Sequence, residues 1–147
     1  QCEFWIAGAG PDERKLRALS ENIGLASSVI WLGNISRDLA PEIFQRSDVF
    51  VLPSYYSEGV PRVLLEASAM SLAILTTQMP GCNDVLINGV NGLMININDS
   101  ANLFEKMKFI AEDQELLKQM KINSKKHVEN FSLEKVATEC FEIYKKI

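Results

Sequence analysis

The chain has 147 residues, 47% of them apolar and 23% charged, which is enough for one compact domain with its own core. Its net charge of −4 argues against a protein that binds nucleic acid through the phosphate backbone. Three widely spaced cysteines without a C-x-x-C pair favour reduced thiols and a cytoplasmic protein, and no apolar run is long enough to span a membrane.

Short apolar runs alternate with helical patterns over the first two thirds of the chain. The runs predict strands over 4–7, 29–32, 49–52, 73–77 and 93–97, and the segments between them predict helices over 11–23, 41–46 and 61–70 and a helical turn near 84–86. Further helices are predicted over 101–112, 115–129 and 133–146, with Asp99 or Ser100 and Ser132 as N-caps. This order predicts an α/β fold, a Rossmann-like parallel sheet with helices on both faces and a helical C-terminus. The strand over 4–7 is expected to be buried on both faces.

Ligands of such sheets bind beyond the carboxyl ends of the strands. Three turns are expected at that edge, over 8–11, 33–36 and 54–60. Gly8 and Gly10 follow the first strand, as in a dinucleotide-binding turn, but Glu13 stands where the third glycine belongs. Asp12 and Glu13 would also repel a phosphate at the helix start. The pattern therefore favours a tight turn that forms one wall of a cleft.

The segment 57–66 predicts a loop that leads into a helix and could hold an anion. With Pro61 at the first helical position, the N-cap is Val60, which has no side-chain acceptor, so the amides of Arg62 and Val63 lack a local partner. Gly59 lets the backbone approach a ligand closely. An uncapped helix start beside a cation fits a diphosphate.

A structural role for the charged residues of this segment is the alternative. Arg62 and Glu66 are four residues apart and could form a surface ion pair, and Glu58 could be a solvated loop acid. Spacing alone leaves both interpretations open.

The residues around this segment resemble a known family. Glu-Gly-Val-Pro at 58–61 and Leu-Glu-Ala at 65–67, with Ile-Leu-Thr-Thr at 74–77 and Pro-Gly-Cys at 80–82, are similar to the C-terminal domain of glycosyltransferase family 4. The likeness continues through 88–93 and back to 6–11, so it covers nearly the whole chain. Enzymes of this family are retaining and metal-independent and have the GT-B fold. The Glu-Gly-Val-Pro-Arg and Pro-Gly-Cys motifs are most similar to those of bacterial enzymes that build capsule, O-antigen or lipid-linked glycans.

The resemblance implies a role for each candidate residue. Glu66 would hold the ribose hydroxyls of the donor nucleotide, and Glu58 would face the donor sugar as the catalytic residue. The amides at the helix start would hold the donor diphosphate (Gly59, Val60, Arg62 and Val63). The turn after the second strand would line the base (Gly33, Asn34 and Ile35), and Gly8 and Gly10 would lie on the cleft wall. No cofactor or metal is expected beyond the nucleotide diphosphate sugar itself.

Departures from the family pattern lead to further expectations. The chain is expected to be a single donor-binding domain truncated at its N-terminus, lacking the first strand and helix of this domain, with their Arg/Lys pair, and the acceptor domain. Residues 132–147 would form a crossover helix to that missing domain. Ser71 stands where the family usually has the glycine that ends the helix.

The predicted function is that of the donor-binding domain of a retaining glycosyltransferase, which transfers a hexosyl or N-acetylhexosaminyl group to a glycan that is expected to be lipid-linked. The chain by itself is expected to be inactive. A sugar-nucleotide epimerase of the same fold and a non-catalytic binding domain are the alternatives. Lysines at 118, 121, 125 and 126 are expected to form a solvated face, with a peripheral contact to an anionic membrane as the alternative.

Overall fold

A computed structural model describes residues 2–56 and 59–146. The chain divides into two compact units, Gln1–Ile43 and Phe44–Ile147. The predicted parallel pairing of strands is confirmed, and it is divided between two sheets, one in each unit.

The first unit is built on two parallel strands, β1 (Phe4–Ala7) and β2 (Val29–Gly33), joined by helix α1 (Glu13–Asn22). Phe4 and Ile6 of β1 remain 37% and 39% exposed, so the prediction of a strand buried on both faces is wrong. A single helix between two strands can cover only one face of their sheet, which explains the exposure. Helix α2 (Ala40–Gln45) continues from this unit into the next.

The second unit holds strands β3 (Val49–Leu52), β4 (Ala73–Thr77) and β5 (Gly92–Ile95), all parallel, with β4 in the middle. In the described part of this unit, α3 (Arg62–Ala69) follows β3 and α4 (Cys82–Val85) follows β4. Strand β5 is followed by α5 (Ser100–Glu112), α6 (Gln114–Val128) and α7 (Leu133–Tyr144). Asp99 and Ser132 cap α5 and α7 with their side chains, as predicted.

The core of the second unit lies against β4, which is buried at all five positions. Ala73 and Leu75 on one face pack in a cluster with Ile110 of α5 and with Leu117 and Met120 of α6. Burial of each large side chain in such a cluster contributes roughly 1.5–3 kcal/mol. The β3–β5 sheet is therefore the rigid support of the loops at its carboxyl edge.

The two Asn-Gly pairs, at 88–89 and 91–92, differ in the structure. Gly89 has a φ of 80°, as a tight turn requires. Asn91 is fully buried instead: its amide donates to the Val85 carbonyl at 2.8 Å, and its side-chain oxygen accepts from the Ile87 N–H at 2.7 Å. Gly92 is the first residue of β5, so the second pair leads directly into a strand.

Helix α7 lies over most of the segment predicted as a crossover helix. It has no buried residue among those described, and Leu133, Phe141 and Tyr144 are 86%, 61% and 75% exposed. Its crossover role stays a prediction. Within the described residues, none of the helices combines the length and apolar composition that a bilayer crossing requires.

Candidate functional site

Helix α3 is the next element after β3, and the loop over 53–61 leads to its start from the carboxyl end of that strand. The helix begins at Arg62, one residue later than predicted, and the N-cap is Pro61 with φ −65° and ψ 116°. Proline fits both positions because its fixed φ suits each of them. Among the described residues, no side chain caps this end, and the first amide to bond is that of Leu64, which donates to the Pro61 carbonyl at 3.0 Å. The amides of Arg62 and Val63 have no partner among the described residues.

Arg62 and Glu66 lie on the same side of α3, and both side chains are exposed. No ion pair joins them or either of them to another described residue. The alternative of a surface ion pair is therefore wrong for this pair. A cation and a carboxylate at one helix end remain available to a ligand, beside Gly59 and Val60, which are also exposed.

Two buried hydroxyls hold the loop that leads from β3 toward α3. Thr76 donates to the Leu52 carbonyl at 2.8 Å, and Thr77 donates to the carbonyl of Ser54. Both threonines are at most 1% exposed. They position the loop although the sequence reasoning gave them no role. Their signal in the sequence is the appearance of two hydroxyls at the end of an otherwise apolar strand.

The same loop carries two adjacent tyrosine rings. The ring centroids of Tyr55 and Tyr56 are 4.2 Å apart, and the side chains are 56% and 68% exposed. A side-chain hydrogen bond with Tyr56, followed by electrostatic repulsion from it, raises the pKa of Tyr55. Tyr55 therefore stays a neutral hydroxyl near pH 7. Glu58, the predicted catalytic residue, lies outside the described residues.

The glycine turns of the first unit meet at the carboxyl edge of its sheet. The Gly8 N–H donates to the Gly33 carbonyl at 2.7 Å, and both residues have a positive φ, of 129° and 63°. Asn34 is exposed and Ile35 is half-buried after this turn. The structure thus brings Gly8 and Gly33 together, as expected for two turns at one edge.

Gly10 lies at a cavity of about 530 Å³ along α1 in the same unit. The charged lining consists of Glu13, Arg14, Arg17 and Glu21, so the two signs balance. Arg17 pairs with Glu13 at 2.8 Å and stacks over the Trp31 ring at 4.9 Å. A lining of balanced charge gives a phosphate no net attraction, which agrees with the interpretation of this turn as a cleft wall.

No group of three or more His, Cys, Asp or Glu side chains in the described part of the chain is placed to hold a metal ion. Positive features at the carboxyl edge of the second unit include Arg62 and the two amides at the α3 start that have no partner in the described part of the chain.

Comparison with known proteins identifies the family. Residues 1–127 match the family described as "Glycosyl transferases group 1". The chain belongs to this family. The resemblance found in the sequence is thereby confirmed.

Individual relatives give the extent of the match. In Campylobacter jejuni, N,N'-diacetylbacillosaminyl-diphospho-undecaprenol α-1,3-N-acetylgalactosaminyltransferase is 30% identical over 147 residues, which are all of this chain and 38% of that enzyme. Among solved structures, Anabaena HepE in complex with UDP has a TM-score of 0.86 at 18% identity, over 99% of this chain and 41% of that one. The C-terminal domain of the group 1 glycosyl transferase LpcC of Francisella tularensis has a TM-score of 0.75 at 23% identity, over 83% of this chain and 65% of that one.

These likenesses confirm the predicted fold, that of the C-terminal half of a GT-B glycosyltransferase. The chain spans well under half the length of the Campylobacter jejuni enzyme and of HepE.

Proposed function

We propose that the chain binds the donor, a nucleotide diphosphate sugar, for a retaining and metal-independent glycosyltransferase. The observation that carries this proposal is the start of α3, beyond the carboxyl end of β3. Two amides there have no partner among the described residues, and the arginine beside them is exposed. The relation to HepE, whose structure contains UDP, supports a uridine nucleotide as the first donor to test.

The proposed chemistry uses the charge that develops during transfer. When the bond between sugar and diphosphate breaks, negative charge builds up on the leaving phosphate oxygen. The amides of Arg62 and Val63, the positive end of α3 and the Arg62 guanidinium would stabilise that charge. Glu66, one turn further along the helix, would accept hydrogen bonds from the ribose hydroxyls.

Further predicted residues of the loop before α3 extend the proposed site. Glu58 would face the donor sugar, and Gly59 and Val60 would contribute backbone to the diphosphate cradle. A contact of the turn at 33–35 with the base stays a prediction. The acceptor proposed for the whole enzyme is a lipid-linked glycan, and the transferred group is a hexosyl or N-acetylhexosaminyl unit. The lipid-linked acceptor is supported by the relation to the Campylobacter jejuni enzyme, whose name contains an undecaprenol diphosphate.

Isothermal titration of the chain with UDP tests the donor site. We expect binding that is unchanged by EDTA and that weakens about 10-fold or more in Glu66→Ala, because hydrogen bonds to a charged group contribute roughly 1.5–3 kcal/mol. Arg62→Gln should weaken UDP more than uridine, because only UDP carries the diphosphate.

The matched control is Glu139→Ala, which removes an exposed helical glutamate of α7 with the same change of charge. Its affinity for UDP should equal that of the unchanged chain. If Glu66→Ala and Glu139→Ala bind UDP equally well, the ribose role of Glu66 is wrong. If UDP does not bind, a non-catalytic domain replaces the uridine-nucleotide donor site as the better explanation.

A further inference from the structure

A second concave surface lies at the opposite edge of the β3–β5 sheet from the start of α3. It is a cavity of about 640 Å³ between α6 and the segments that precede β3 and β4. Asp48 and Ser71 line it at the amino ends of those two strands. Since α3 starts beyond the carboxyl end of β3, the cavity is separate from the proposed donor site.

Lysines dominate the lining of this cavity. Lys118, Lys121, Lys125 and Lys126 all contribute from α6, against the carboxylates of Asp48 and Glu129. Four lysines and one glutamate give α6 a net charge of +3. The whole chain has a net charge of −4, so the residues outside α6 carry −7. Positive charge is thus concentrated at one helix of an acidic chain, where it attracts anions locally.

The packing of α6 fixes where these lysines lie. Leu117, Met120 and Ser124 form the buried stripe of the helix. Lys118 and Lys125 directly follow Leu117 and Ser124 in the sequence, and both lie on the side of the helix that borders the cavity. The buried stripe anchors the helix, so the lysines project from a fixed support.

One lysine is neutralised and three are not. The Lys121 ammonium lies 2.7 Å from Asp48 Oδ1, and its side chain is only 30% exposed, so this pair forms a wall of the cavity. Lys118, Lys125 and Lys126 make no ion pair with any described residue. Three ammonium groups are therefore available to phosphate oxygens, which are strong acceptors of charge-assisted hydrogen bonds.

Apolar surface accompanies the charge. Leu117 contributes to the floor, and Ile122, which is 53% exposed, stands among the lysines. We propose that this cavity binds phosphoryl groups, either of a soluble phosphate ester or of an anionic lipid head group. Phosphate oxygens would contact the free ammonium groups, and the organic part of the ligand would cover Ile122.

The test uses two probes on the 147-residue chain. Inorganic pyrophosphate is titrated by calorimetry, and vesicles are sedimented with the chain, made either of phosphatidylcholine or of phosphatidylcholine and phosphatidylglycerol in equal parts. The variant combines Lys118→Gln, Lys125→Gln and Lys126→Gln and keeps the Lys121–Asp48 pair. We expect affinity for at least one anionic probe to fall about 100-fold, since each basic residue near an anionic surface contributes about 5-fold.

The control combines Lys108→Gln, Lys135→Gln and Lys145→Gln, which changes the net charge equally at exposed lysines outside the cavity. Pyrophosphate also fits the proposed donor site, so the measured quantity is the binding lost in the cavity variant and kept in the control. If the cavity variant loses only pyrophosphate binding, the ligand is a soluble phosphate ester. If it loses only vesicle binding, the ligand is an anionic lipid. If neither probe binds, or if both variants lose the same affinity, the proposal is overturned.

Discussion

At the scale of single residues, Gly92 shows a constraint from a neighbouring strand. A Cβ atom at this position would lie 1.8 Å from the backbone carbonyl oxygen of Ile74, which cannot rotate away. We therefore expect Gly92→Ala to lower the free energy of unfolding by about 3 kcal/mol, the upper end of the usual cost of overpacking. Urea unfolding followed by circular dichroism measures this change.

Gly59→Ala is the matched control for that measurement. Gly59 lies in the same unit, and an added Cβ would meet no atom within 4 Å. The control should change the unfolding free energy by no more than about 0.5 kcal/mol. Equal stability of the two variants would contradict the close approach of β4 and β5.

The same residues mark the limit of what the sequence could predict. Short apolar runs were sufficient to predict the strands, because strand burial leaves a local pattern. Examples are the run that ends before Pro53 and the run that follows Gly92. The roles of Asn91 and Gly92 depend on groups up to 18 residues away in the chain, so an Asn-Gly pair alone could not distinguish a turn from a buried clamp. Thr77 is similar, since its partner Ser54 belongs to another element.

At the scale of elements, α1 and α3 end in the same backbone motif with different residues. Gly24 follows α1 with a φ of 77°, and Ser71 follows α3 with a φ of 62°. In α3 the Ser71 N–H donates to the Ser68 carbonyl at 2.9 Å and the Leu72 N–H donates to the Ala67 carbonyl at 3.0 Å, which is a Schellman motif. Glycine is favoured at this left-handed position because it has no Cβ.

We expect Ser71→Gly to raise the free energy of unfolding by about 1 kcal/mol. A left-handed conformation costs a residue with a Cβ roughly 1–2 kcal/mol, and glycine removes this cost. Part of the gain is cancelled because glycine also raises the conformational entropy of the unfolded chain. Thermal and urea unfolding measure the gain. Gly24→Ser provides the reverse exchange at the end of α1 and should destabilise that helix. A Ser71→Gly variant less stable than the unchanged chain would refute the strain at this position.

Helix ends with a side-chain signal could be predicted, and ends without one could only be approximated. Asp99 caps α5 by accepting from the Asn102 N–H at 2.9 Å, as its residue type indicates. The start of α3 was displaced by one residue because Pro61 suits both the cap and the first turn. In the part of the chain that the structure describes, no side chain caps this end, which is the property that matters for an anion. Neither Val60 nor Pro61 has a side-chain acceptor.

At the scale of the whole molecule, burial is distributed unequally between the two units. Among the described residues of the first unit, Ser20 alone is buried, while Leu16, Leu19 and Ile23 of its helical segment are 45%, 52% and 59% exposed. In the second unit β4 is buried throughout and packs on α6. Local stability follows the density of buried apolar contacts, so the first unit should open more readily.

Hydrogen exchange followed by mass spectrometry measures this difference. We expect amides of β1 and β2 to exchange at least about 30-fold faster, relative to their intrinsic rates, than amides of β4, which corresponds to about 2 kcal/mol of opening free energy. The comparison is limited to amides that donate to a neighbouring strand, because β4 is paired on both sides whereas β1 and β2 are each paired on one side only. With that restriction, backbone bonding alone does not produce the difference. Equal protection of the two sets would mean that the first unit is stabilised as strongly as the second despite its exposed side chains.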